Sequence, residues 1–200
     1  NLGATQEATV KRILTERQLQ NNERMVALRT LVADLLLEAT LIFSGNDLDI
    51  TSTDARTRLT RAFQEVVRRV YTNLDMLRGI SYSEDSLRGC LQAPQPQFGG
   101  EVESISEPEQ EVLSFVQANY SSGQRSTVLA VANRFERKPY GWGVWAAPCM
   151  LSKLIARGKI EARQDSNLLE ADALLRALAA TQRYGSVVLE PLVEYTASQV

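Results

Sequence analysis

Between Gln124 and Arg163 the chain carries eight cations, Arg125, Arg134, Arg137, Lys138, Lys153, Arg157, Lys159 and Arg163, against the two anions Glu136 and Glu161. That is +6 over forty residues in a chain whose formal net charge is −2. A local basic field of this kind attracts phosphates even on a nearly neutral molecule. The alternative for the same residues is solvated helix ends that hold no ligand. Within the stretch lie Tyr140 and both tryptophans of the chain, Trp142 and Trp145. Such a cluster either stacks bases or anchors a partner, or it wedges the turn between two helices with its polar atoms bonded to backbone.

Other chemistries are excluded by residue type. No histidine occurs among the 200 residues, which removes His-assisted nucleophiles, imidazole metal ligands and most general-base chemistry at neutral pH. The two cysteines, Cys90 and Cys149, are too few for a disulfide framework or a four-ligand zinc site. Distant in sequence and without an activating histidine, they read as structural or incidental thiols, and they suit a reducing cytoplasm. Neither G-x-x-x-x-G-K-[ST] nor G-x-G-x-x-G is present, so no phosphate cradle is written here. Asp47-x-Asp49 suggests a calcium loop, but Ser52 occupies the turn-glycine position and Arg58 the place of the bidentate acid. No catalytic, cofactor or metal residue follows from these patterns. The chain reads as non-enzymatic.

At 44% hydrophobic and 23% charged, the composition is that of a globular protein, and no run approaches the ~18 apolar residues of a membrane helix. Asn1–Ala4 has neither a basic start nor an apolar signal core, and without an initiating Met the chain reads as a piece of something longer. Thr5 to Ala39 is helical, with Leu28, Leu31, Val32, Leu35, Leu36 and Ala39 on one stripe. Leu41–Phe43 and Leu48–Ile50 flank the turn cluster Ser44–Asp47, a small hairpin over 41–50. A second helix runs from about Asp54 to Leu77, capped by Thr53 or Ser52, with Leu59, Ala62, Phe63, Val66, Val67, Val70, Leu74 and Leu77 inward. The two patterned faces are expected to bury each other, a helical hairpin domain over 1–78.

Periodicity is lost over 79–105, where Gln92–Gly100 has the Pro/Gly composition of a linker. Ser106-x-x-Glu109 then forms a capping box with Pro108 in the first turn, opening a helix with Val112, Leu113 and Val116. Ser126 is read as the cap of a second helix carrying Val128, Val131, Ala132 and Phe135. The third helix buries Val144, Ala147, Leu151 and Leu154, starts close to Pro148 and ends at Arg157 with Gly158 at C′. Lys159–Arg163 alternates as a strand and pairs with Val187–Leu189, with a helix over Leu168–Ala180 between them. That order makes 106–200 a winged-helix-like α+β domain, with a helix where the wing tip would be. The fold class expected is mainly α.

Phe135-x-x-x-Pro139-Tyr140-Gly141-Trp142, followed by a helix ending Leu154–Ile160, resembles a signature in the C-terminal half of BrxC/PglY proteins. These are the large P-loop ATPases of BREX (bacteriophage exclusion) defence systems. The likeness extends to Ala39-x-Leu41-Ile42-Phe43-x-Gly45, Val70-Tyr71-x-x-Leu74, the closing strand at Val188–Leu189 and Thr196–Val200. It implies a regulatory or scaffolding portion of a cytoplasmic ATPase that helps exclude phage. ATP and magnesium belong to the full-length protein by the same resemblance, and the family's ATP-binding residues have no match here.

Two functions compete. In one, the chain is an assembly module that docks the ATPase onto other BREX subunits or onto itself. In the other, the winged helix contacts DNA through Arg134, Arg137, Lys138, Lys153, Arg157, Lys159 and Arg163. Lys153 and Arg157, four apart, share a face offset from the Leu151/Leu154 stripe, as a groove-facing surface requires. The third helix lacks Asn and Gln, so binding is expected to be weak, sequence-tolerant and salt-dependent. Reversing Lys153 and Arg157 to Glu is expected to abolish it without unfolding the domain.

Overall fold

The computed structural model describes residues 2–92 and 105–192. They divide into two compact units, Asn1–Arg69 and Val70–Val200. The Pro/Gly run Ala93–Gly100 and the closing Thr196–Val200 lie outside the described residues.

In the first unit, α1 (Leu2–Glu38) has no proline and no glycine after Gly3, so nothing interrupts its hydrogen-bond ladder. β1 (Ile42–Phe43) and β2 (Asn46–Asp47) pair antiparallel around Ser44 and Gly45, with φ of 51° and 77°. Two successive left-handed residues make the tight hairpin turn whose twist matches the flanking strands. The return strand therefore falls on Asn46–Asp47, inside the expected turn cluster and ahead of Leu48–Ile50. The next helix, α2 (Ala55–Val70), is capped by Asp54, whose carboxylate accepts the Thr57 N–H at 2.7 Å, and not by Thr53 or Ser52.

The apolar stripes of α1 and α2 do not bury one another. Leu28, Leu31, Val32 and Leu35 are 46–57% exposed, and Phe63 is 64% exposed. Length alone limits the pairing: a helix of 37 residues spans roughly 55 Å and one of 16 about 24 Å. The joint that does form includes the Arg58 guanidinium, which donates to the Leu36 and Ile50 carbonyls, and the buried Leu48, Ala55 and Ala62.

The second unit begins earlier than its sequence pattern suggests. The expected second helix stops at Val70, and Leu74–Leu77 is a separate 3-10 turn. Where a linker was expected, α3 (Glu84–Gln92) forms, and Leu77 and Leu87 enter the core. Nine residues are too few for a long apolar period, but the start signal is present. Ser83 Oγ accepts from the Ser86 N–H, and Ser86 Oγ from the Ser83 N–H.

Then follow α4 (Glu107–Ser121), β3 (Ser126–Thr127), α5 (Val128–Glu136), α6 (Ala146–Ala156), β4 (Ile160–Gln164), β5 (Asn167–Leu168), α7 (Ala171–Ala179) and β6 (Val187–Pro191). The sheet is antiparallel in the order β3-β6-β4-β5. Three helices, a central strand pair and a short third strand give the winged-helix order, with β5 and α7 standing where a simple wing loop would be. Val112, Val116, Val128, Val131, Phe135, Leu151 and Leu154 share one core, as their spacing implies. Pro148 sits in the first turn of α6, and Gly158 (φ 64°) follows its end as the C′ glycine. Ser126 lies in β3, so Thr127 caps α5, its hydroxyl accepting from Ala130 N–H at 3.1 Å. Val144 precedes α6 and is 57% exposed, not inward.

A candidate nucleic-acid and partner interface

The capping box of α4 fixes where the basic residues of α6 go. Glu109 reaches back to accept the Ser106 N–H at 3.1 Å, and α4 packs on α6 with this carboxylate 1% exposed. A buried carboxylate requires compensating charge. Arg157 supplies it at 2.7 Å and Lys153 at 3.6 Å. Lys153 also lies over the Tyr82 ring, 5.9 Å from its centroid. The face shared by Lys153 and Arg157 thus looks onto α4 and the segment before α3, not onto open solvent. Reversal of both to Glu would set three carboxylates together, so the double variant is expected to lose stability as well as positive charge.

The other five candidate DNA contacts separate into two further groups. Arg134, Arg137 and Lys138 are exposed around the turn between α5 and α6, with the Arg134 guanidinium 5.3 Å from the Tyr140 ring centroid. On the sheet, Arg163 bonds Glu161 at 2.8 Å and lies 3.3 Å from Glu190, while Lys159 is half-buried at the entry to β4. The structure brings Lys153 together with Arg157, but sets both against a carboxylate.

α6 is the helix a winged domain would insert into a groove. Here it is covered by α3, α4, α5 and β4, and every one of its residues is buried or half-buried. Its coverage by α3 also brings Cys90 onto the buried core to which Cys149 belongs, which sequence distance had separated.

The aromatic motif sits in the core. Phe135 stacks on Trp142 at 4.5 Å and touches Tyr140 at 4.6 Å between centroids. Tyr140 and Trp142 are 3% and 2% exposed, so neither offers a ring to a base. Their polar atoms are not held by backbone as expected. The Tyr140 hydroxyl donates to the Glu111 carboxylate, and Trp142 Nε1 has no hydrogen-bond partner among the described residues. Burial first, then that carboxylate, raises the Tyr140 pKa. Pro139 accepts the Asn73 N–H at 3.0 Å through its carbonyl, and Gly141 (φ 64°) lies against the Tyr71 ring. A Cβ at Gly141 would stand 2.4 Å from Tyr71 Cδ1, so only glycine fits both the backbone and the approach. Val70-Tyr71-x-x-Leu74 and Pro-Tyr-Gly-Trp, distant in sequence, are two halves of one packing contact.

Comparison with family models agrees with this architecture. Residues 75–190 match the BREX ATP-binding protein BrxC winged helix-turn-helix domain. The chain belongs to the BrxC family. Residues 1–66 match the BREX ATP-binding protein BrxC 4th domain with six-stranded beta sheet; the strands described within that span are the hairpin β1–β2. No solved structure matches the chain. The match to the BrxC winged helix thus takes in α3 and all but the first residue of the Leu74–Leu77 turn, within the compact unit that starts at Val70. Among the described residues of this BrxC portion, no helix is long and apolar enough to cross a membrane.

Proposed function

We propose that this portion of BrxC is a non-catalytic assembly module, working in the cytoplasm, that docks the ATP-binding protein onto other BREX subunits or onto itself. The observation that carries the reading is the sealing of α6. A recognition helix without an exposed residue, whose basic pair compensates a buried glutamate, is organised as interior and not as a groove reader. The apolar stripes of α1 and α2 supply surface of the kind that protein partners cover.

DNA contact is the second reading, and the exposed trio Arg134, Arg137 and Lys138 favours it. Three cations at one turn can touch backbone phosphates without base readout. A salt titration of the chain against a short fluorescent duplex separates the two. The assembly reading expects no retention even at low salt, and co-elution with another BREX subunit or self-association in light scattering. Retention that falls steeply with salt and disappears in an Arg137→Glu/Lys138→Glu variant would establish the DNA reading in its place.

A further inference from the structure

We propose that Cys90 and Cys149 form a reversible dithiol–disulfide pair that staples α3 onto α6 on exposure to hydroperoxide. The inference stands independently of the assembly reading.

Cys90 on α3 and Cys149 on α6 belong to two helices that pack directly on each other, with Cys90 set against the buried core to which Cys149 belongs. They are the only cysteines in the 200 residues, so each has one intramolecular partner and no competitor. Their exposures differ in the way a two-step oxidation requires. Cys90 is half-buried near the end of α3, within reach of a small oxidant, whereas Cys149 is fully buried in the second turn of α6.

The surroundings divide the roles in the same sense. The Cys149 thiol donates toward Cys90, and Lys153, one turn further along α6, adds positive charge, which together lower the Cys90 pKa to about 7 against burial and the Glu109 carboxylate. Cys149 is pushed up by donating that hydrogen bond and by burial. Tyr82, ahead of α3, lies by Lys153, and α7, the other helix packed on α3, buries only apolar Leu174, Ala177 and Leu178. Near neutrality Cys90 is the nucleophile and Cys149 the resolving thiol.

The steps balance. The Cys90 thiolate attacks the outer oxygen of a hydroperoxide, the O–O bond breaks, and Cys90 becomes a sulfenic acid as the alcohol or water leaves with a solvent proton. Cys149 sulfur then attacks Cys90 sulfur, and the departing hydroxide takes the Cys149 proton as water. Two thiols and one hydroperoxide give one disulfide, one alcohol or water, and one further water. Sulfur loses two electrons and the peroxide gains them. A thiol reductant reverses the change.

The test uses the whole chain, treated with hydrogen peroxide and quenched, with intact mass and thiol alkylation read under denaturing conditions. Monomeric protein that has lost two hydrogens and both alkylatable thiols is the expected result. Cys149→Ser should stop at a dimedone-reactive Cys90, and Cys90→Ser should oxidise at least tenfold more slowly. Circular dichroism matching the parent establishes that each variant is folded. For any that is not, the pH profile of Cys90 alkylation in the parent serves instead, with a midpoint near 7 expected. Retention of both thiols, cross-linked dimers as the main product, or a midpoint in the ordinary thiol range of about 8.5 would overturn the proposal.

Discussion

Replacing Arg157 by Met isolates what the basic face of α6 does. The substitution keeps most of the stem volume and removes the 2.7 Å partner of Glu109. Glu109 is 1% exposed, so water cannot replace the guanidinium, and Lys153 at 3.6 Å compensates only in part. Breaking a buried pair by removing one partner costs about 3–5 kcal/mol, and with Lys153 still present the lower end, about 3 kcal/mol, is expected. Glu109→Gln is the milder change. It keeps an acceptor for the Ser106 N–H, and the cations it leaves behind are 22% and 34% exposed, open to water. Combined with Arg157→Met, Glu109→Gln should recover at least about 1 kcal/mol of the Arg157→Met loss, since a neutral amide needs no counter-charge. Urea unfolding followed by tryptophan fluorescence is the assay, because Trp142 and Trp145 both lie in the second unit and report on it alone. An Arg157→Met variant within about 0.5 kcal/mol of the parent, the range of ordinary surface substitutions, would refute the argument. So would a double variant no more stable than Arg157→Met.

Three further outcomes follow from single contacts. Gly141→Ala should destabilise the second unit by roughly 2–4 kcal/mol, the sum of a left-handed alanine and a Cβ forced into the Tyr71 ring; Tyr71→Ala in the same chain should relieve part of it, and equal urea midpoints for Gly141→Ala and the parent would contradict the contact. Asp54 is held below its ordinary pKa by the Thr57 side chain and N–H, so its stabilisation of α2 is fully present above the unfolded carboxylate pKa and fades as pH falls through the lower folded value; helicity followed by circular dichroism should lose this acid-side dependence in Asp54→Ala. Calorimetry with ATP and magnesium should show no micromolar binding to this chain, which lacks the phosphate loop with its Lys and Ser/Thr.

Local signals were legible wherever one turn of helix or one strand carried the whole cause. The Ser106/Glu109 box, the Gly158 stop, Pro148 at the start of α6 and the shared core from Val112 to Leu154 all stand where their spacing implies. What the sequence hid was identity of partners. The stripe of α1 marks a face that can be buried without naming what buries it. α3 was too short to show a period, although Ser83 announces its start. The cysteines looked incidental because nothing local joins α3 to α6.

The same limit holds for the charges on α6. Lys153 and Arg157 do share a face, as four-residue spacing demands. A shared face becomes a ligand surface only if no anion of the same chain reaches it first. Glu109 does so from 48 positions away, held in place by the capping role that the sequence displayed plainly. One carboxylate therefore starts α4, sets α4 on α6 and takes up the two cations of that face. The motif that signals a helix start is also the counter-charge of Lys153 and Arg157.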